Sequence, residues 1–140
     1  MLIKSDFMPN EGIFYDGQVF DAYEFVSRTI KAAKQSIILI DNYIDESVLV
    51  LLSKSEPNVK TIIYTANITD KIKLDVSRFN AQYPNIEIKS FNKSHDRFLI
   101  IDNKTVYHIG ASLKDLGKKW FAFSRINLDA GEMIKKLNEL

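Results

Sequence analysis

The residues best able to do chemistry in this chain fall in two neighbouring stretches. They are Ser94-His95-Asp96-Arg97-Phe98-Leu99-Ile100-Ile101-Asp102 and Gly110-Ala111-Ser112-Leu113-Lys114-Asp115. A neutral imidazole can attack phosphorus or carry a proton near neutral pH. A guanidinium can hold two phosphate oxygens at once and stabilise the charge that builds in a transition state. If residues 95–102 are extended, side chains alternate between faces, so His95 and Arg97 share one face and Asp102 falls on the other. A histidine beside an arginine is a phosphate site in outline. Asp102 is equally a good turn residue, and Ser112 a good cap for a short helix starting at Leu113.

Other chemistry-bearing residues read more plainly. His108 alternates with Tyr107 along a strand and reads as structural. Lys114, Lys118 and Lys119 make a small basic cluster. It is either a solvated face or, around a phosphate pocket, a source of attraction for nucleic acid. Trp120, Phe121 and Phe123 read as core rather than as a platform for stacking bases. Asp41 and Asp45 follow a strand end, where α/β sheets place ligands. Two acids without a cluster are a weak magnesium site, and no metal or cofactor is expected.

The elements that must position these residues follow from periodicity. Residues 1–17, with Pro9, Gly12 and Gly17 as breakers, read as an N-terminal arm or loop. Val19, Tyr23, Val26, Ile30 and Ala33 step by three and four, one face of an amphipathic helix. Ser36 to Ile40 is a buried strand. A helix over Asp45 to about Lys54 takes Asp45 as cap. Val59 to Tyr64 is a strand, and Thr69 to about Tyr83 a helix capped by Thr69. Ile86 to Ser90 alternates as a strand. Arg97 to Ile101 and Thr105 to Ile109 form strands about a hairpin turn at Asp102-Asn103-Lys104. Trp120 to Ile126 is a strand and Ala130 to Leu137 a closing helix. This order predicts one α/β domain over residues 1–140, with a mixed, mainly parallel sheet and helices on both faces.

Composition bounds the function. A chain of 140 residues with 46% hydrophobic and 26% charged residues is ordinary for one globular domain. The absence of cysteine excludes a disulfide framework, a thiolate zinc site and a cysteine nucleophile. A formal net charge of +1 excludes binding to nucleic acid by bulk charge but leaves room for a local basic patch. The start of the chain has no apolar signal core, and runs such as Ile37 to Ile40 are too short to span a bilayer. A cytoplasmic protein with no membrane partner is expected.

The spacing His95-x-Arg97, four residues, Asp102, then a Gly/Ser-containing turn, resembles the His-x-Lys-x4-Asp signature of the phospholipase D superfamily. The resemblance covers about residues 12–126. It takes in Ile37-Ile38-Leu39-Ile40-Asp41-Asn42-Tyr43-Ile44-Asp45 as the first core strand and following turn. It also takes in Tyr107 to Lys119, which is similar to single-motif bacterial members often fused to a DNA-binding domain. What the resemblance implies is a metal-independent site in which His95 matches the histidine that becomes phosphorylated. Arg97 stands for the phosphate-contacting lysine, and Asp102 matches the supporting aspartate. Ser112 and Lys114 stand nearest the Ser and Asn of the family's Gly-Ser-x-Asn turn. Three departures accompany this match. Lysine has become arginine, which cannot donate a proton at neutral pH. The glycine comes one residue late, and Gly-Ser-x-Asn reads Gly-Ala-Ser-Leu-Lys. Active members use two such histidines, so a chain with one signature needs a homodimer. Two readings stay open: a homodimeric phosphodiesterase of nuclease type, or a non-catalytic module that binds phosphate or nucleic acid and dimerises a DNA-binding regulator.

Overall fold

The computed structural model describes residues 9–83 and 86–139. In chain order the elements are β1 (Glu11–Phe14), α1 (Val19–Lys31), β2 (Ser36–Ile40), α2 (Glu46–Leu52), β3 (Lys60–Thr65), α3 (Asp70–Gln82) and β4 (Ile86–Ser90). They continue as β5 (Arg97–Ile101), β6 (Thr105–Ile109), a 3-10 turn (Leu113–Asp115), β7 (Phe121–Ile126) and α4 (Ala130–Asn138). The strands form one seven-stranded sheet in the order β1-β7-β6-β5-β2-β3-β4.

Alternation along the central strands divides the core in two. Ile37, Leu39, Leu99, Ile101, Tyr107 and Ile109 face a cluster shared with α1, α2 and α3. Ile38, Ile40, Ile100 and Val106 face a smaller cluster completed by Ala130 and Leu137 of α4. Helices therefore cover both faces, and the strands at the centre are apolar on both sides because neither side meets water. The helix starts carry the expected side-chain caps. Asp45 accepts from the Ser47 backbone N–H at 2.9 Å, and Thr69 from that of Ile72 at 3.1 Å.

The sheet is mixed, as the sequence implies, but parallel pairing does not predominate. β2–β3 and β3–β4 are parallel, whereas β1–β7, β2–β5, β5–β6 and β6–β7 are antiparallel. For β5–β6 a short link explains this. The turn at Asp102 and Asn103, both with positive φ (57° and 56°), is too tight to join anything but antiparallel neighbours. The stretch 1–17, expected to be an arm, also contains a strand. Phe14 of β1 stacks on Phe121 and Phe123 of β7 at centroid separations of 5.3 and 5.8 Å. Residues 1–8 of that stretch lie outside the described residues. No described helix is long and apolar enough to cross a membrane.

One connection matters most for the site. After the edge strand β4 the chain returns past β3 and β2 to enter β5 at the sheet's centre. This crossing is tethered by Asn42, whose side-chain amide donates to the Ser94 carbonyl at 2.9 Å. Because β5 runs antiparallel to both β2 and β6, its first residue lies beside the last residues of its two neighbours. The end of β2, the start of β5 and the end of β6 therefore converge at one edge of the sheet.

Candidate phosphate-binding cleft

Arg97 opens β5 at that edge, on the same face as Leu99 and Ile101. It lines a cleft of about 530 Å³ with Tyr43, Gly110, Ala111, Ser112, Lys114, Asp115, Lys118, Lys119 and Trp120. Four cations (Arg97, Lys114, Lys118 and Lys119) face one carboxylate, Asp115. Asp115 contacts the Lys114 and Lys118 ammonium groups at 3.2 Å each. Desolvation raises its pKa, but the hydrogen bonds from Lys118 and Lys114 outweigh that and hold the carboxyl below its usual range. The Arg97 Nε is buried and has no hydrogen-bond partner among the described residues. Arg97 as a whole is half-buried, but an unpaired buried donor is costly, and an anion entering the cleft can supply what it lacks.

Beneath the cleft lies a polar lock. Asp41 ends the apolar run of β2 and is fully buried. Its carboxylate accepts from the Leu113 N–H at 2.9 Å, the Tyr43 N–H at 3.0 Å and the Ser112 hydroxyl at 3.0 Å. Burial pushes its pKa up, opposed by those three donors and by the charge of Arg97. The lock fixes the 3-10 turn, and with it Lys114, over the end of β2. Ser112 therefore meets the cleft only as a buried link to Asp41 and the Tyr43 carbonyl, the latter at 2.9 Å.

Two glycines shape the same loop. A Cβ on Gly110 would come within 2.9 Å of the Ala122 carbonyl, to which the Gly110 N–H donates at 2.8 Å. Gly117 has φ +77°, and a Cβ there would lie 2.5 Å from the Cα of Val19 at the start of α1. Gly117 thus docks the lysine-bearing loop against the first turn of α1, and its own carbonyl accepts from the Gly17 N–H at 3.2 Å.

The structure brings together Arg97, Ser112 and Lys114 from the residues singled out in the sequence, and adds Lys118 and Lys119 of the basic cluster. His95 is close in sequence but different in setting. It is exposed, in the bend before β5, and is not among the residues that line the cleft. Asp102 does not join them. It sits at the far end of β5, about 16 Å along the strand from Arg97. Its carboxylate accepts from the backbone N–H groups of Lys34, Gln35 and Ser36 at 3.0, 2.7 and 3.1 Å, pinning the hairpin turn to the entry of β2. Partial burial raises its pKa, and those three donors outweigh burial and lower it. His108 lies across the sheet from the cleft, beside Phe98, and contacts Asp96 at 3.3 Å. Asp41 and Asp45 are each spent on local structure, and no group of three or more metal-ligating side chains occurs among the described residues.

Sequence reasoning missed the exposure of Trp120. Phe121 and Phe123 are core, as expected, but Trp120 is 67% exposed. The signal was available: with Phe121 and Phe123 facing inward, the period of two turns Trp120 outward. Tyr43 was missed because it follows a strand and carries no motif.

No protein-family model matches the sequence, and no curated protein matches it. Solved structures do. NucT from Helicobacter pylori superposes with a TM-score of 0.59 at 16% identity, over 92% of this chain and 91% of its own. TrmBL2, an archaeal chromatin protein described with a novel mode of DNA binding, gives 0.60 at 16% identity, over 96% of this chain and 53% of its own. Polyphosphate kinase from Porphyromonas gingivalis gives 0.57 at 15% identity, over 98% of this chain but only 23% of its own.

Proposed function

From a chain with the phospholipase D superfamily fold, which NucT and the polyphosphate kinase represent among its neighbours, we propose a module that binds the phosphodiester backbone of a nucleic acid at the Arg97 cleft. The observation that carries this reading is the buried Nε of Arg97, without a partner among the described residues, at a cleft whose other charged walls are Lys114, Lys118 and Lys119 against the single carboxylate of Asp115. A guanidinium fixed at a strand start offers a planar fork to phosphate oxygens, and the flexible lysines add attraction without geometric demand. Lys114 acts at the cleft wall. Ser112 and Asp102 act as positioning residues, one beneath the cleft and one at the opposite end of β5.

A second reading is favoured by one observation: His95 is exposed only two residues before Arg97. In a homodimer that sets two His95 side chains face to face, one imidazole attacks phosphorus to form a phosphohistidine. The other protonates the departing oxygen, and water then releases the phosphate monoester from the first. This activity needs no metal.

Both readings are tested together. Binding of labelled DNA and RNA strands is measured for wild type, Arg97→Ala and His95→Ala. Cleavage of the same strands and of bis(p-nitrophenyl) phosphate is measured in the presence of a chelator. Binding weakened roughly ten- to 150-fold by Arg97→Ala, from the loss of about 1.5–3 kcal/mol of charged hydrogen bonding, supports the cleft. Cleavage abolished by His95→Ala supports the enzyme. Binding indifferent to Arg97→Ala defeats the cleft as the site.

A further inference from the structure

The rim of the cleft is aromatic. Trp120 and Tyr43 both line it and are both exposed, at 67% and 59%. Exposed tryptophan on a folded surface is uncommon, and this one is held by two contacts. Its Nε1–H donates to Asp16 at 2.8 Å, and Tyr15 packs edge-on against its ring with a centroid separation of 4.7 Å and an interplanar angle of 87°. The ring is thereby oriented before any ligand arrives, which reduces what binding must order. Tyr43 is anchored through its backbone, its N–H on Asp41 and its carbonyl under Ser112, which leaves the phenol ring free at the surface. Flat rings beside a groove of cations are what a nucleic acid with unpaired bases needs. The cations track phosphates and the rings receive bases. In a duplex the bases are stacked on each other and their faces are closed to such rings.

We propose that the cleft selects single-stranded nucleic acid, with Trp120 and Tyr43 as stacking platforms for bases flanking a phosphate held at Arg97. This rests on the phosphate-site reading above and goes beyond it by naming the strandedness of the ligand and the residues that read it.

Trp120 is the chain's only tryptophan, so its emission reports directly on the rim. The test titrates wild type, Trp120→Ala, Trp120→Phe and Tyr43→Ala with four ligands of equal length: a DNA strand, an RNA strand, an abasic DNA strand and a DNA duplex. Stacking on one ring strengthens single-strand binding about five- to 150-fold. The expected result is quenching of Trp120 by the base-bearing strands and not by the abasic one. Base-bearing strands should also bind tighter than the abasic strand and the duplex by at least fivefold. That margin should shrink in Trp120→Ala and Tyr43→Ala and be largely kept in Trp120→Phe. The comparison of DNA with RNA tells which sugar is preferred. Equal affinity for base-bearing and abasic strands, with unquenched emission, would overturn the platform while leaving the phosphate site standing. Binding of none of the four ligands would overturn both. A Trp120→Ala variant that halves the sedimenting mass would assign the rim to contact between copies and overturn the platform as well.

Discussion

At the scale of single residues, the cleft rests on a fully buried carboxylate, Asp41. Asp41 organises the turn above it by accepting from Leu113, Tyr43 and Ser112. Replacement by Ala leaves those donors buried and unmatched, and costs about 1–3 kcal/mol in urea unfolding. Its pH dependence has a definite sign. Because burial raises the pKa of Asp41 in the folded chain, its protonated form is favoured there. That contribution is fully present below the ordinary carboxylate range and fades as pH rises through the raised value. The stability difference between wild type and Asp41→Ala should therefore be largest in acid. Asp102 behaves oppositely. With its folded pKa lowered, its contribution is present above the carboxylate range and is lost as pH falls through the lowered value. Asp102→Ala should cost about 1–2 kcal/mol near neutrality, and the cost should shrink as pH falls into acid. Urea titrations across this pH range distinguish the two. A shared slope would mean that one of the carboxylates is not held as described.

The scale of the element shows how much a linear pattern can carry. Strand β5, strand β6 and the turn between them are legible because their signals are local: apolar alternation, then Asp102-Asn103 where the backbone needs positive φ. The helix caps at Asp45 and Thr69 are legible for the same reason. Strand β1 is not legible, since four residues with a glycine become a strand only when β7 supplies a partner. Asp102 illustrates the same limit within the site. Its spacing from His95 is visible, but its ligation by Lys34, Gln35 and Ser36 depends on chain 66–68 residues away. The loop from Gly110 to Trp120 belongs to both kinds. Its lysines are visible as a cluster, whereas its docking on α1 through Gly117 is tertiary. Gly117→Ala combines a left-handed backbone with a collision at Val19 and should cost about 2 kcal/mol or more. Ligand affinity should fall with it even where the sheet stays folded, as read by circular dichroism alongside strand binding.

For the whole molecule, a net charge of +1 leaves no long-range field to hold a polyanion. The proposed binding is therefore local, and its salt dependence bounds how local. With four cations at the cleft, a single strand should give a slope of log affinity against log salt no steeper than about −3. Loss of Lys119 should lower its magnitude by somewhat less than one. A much steeper slope would require a second charged surface, such as the cleft of a partner copy.

All the described residues that line the cleft, Tyr43 excepted, fall between positions 97 and 120 of the chain. The sheet edge, the lock at Asp41 and the first turn of α1 form the seat on which that stretch rests. On the binding proposed above, ligand preference would therefore reside in one contiguous segment together with Tyr43. Exchanging residues 97–120, and Tyr43 with them, for the matching residues of another chain of the same fold would carry the donor's selectivity with it, provided that Asp41 and the contact at Val19 remain to receive them.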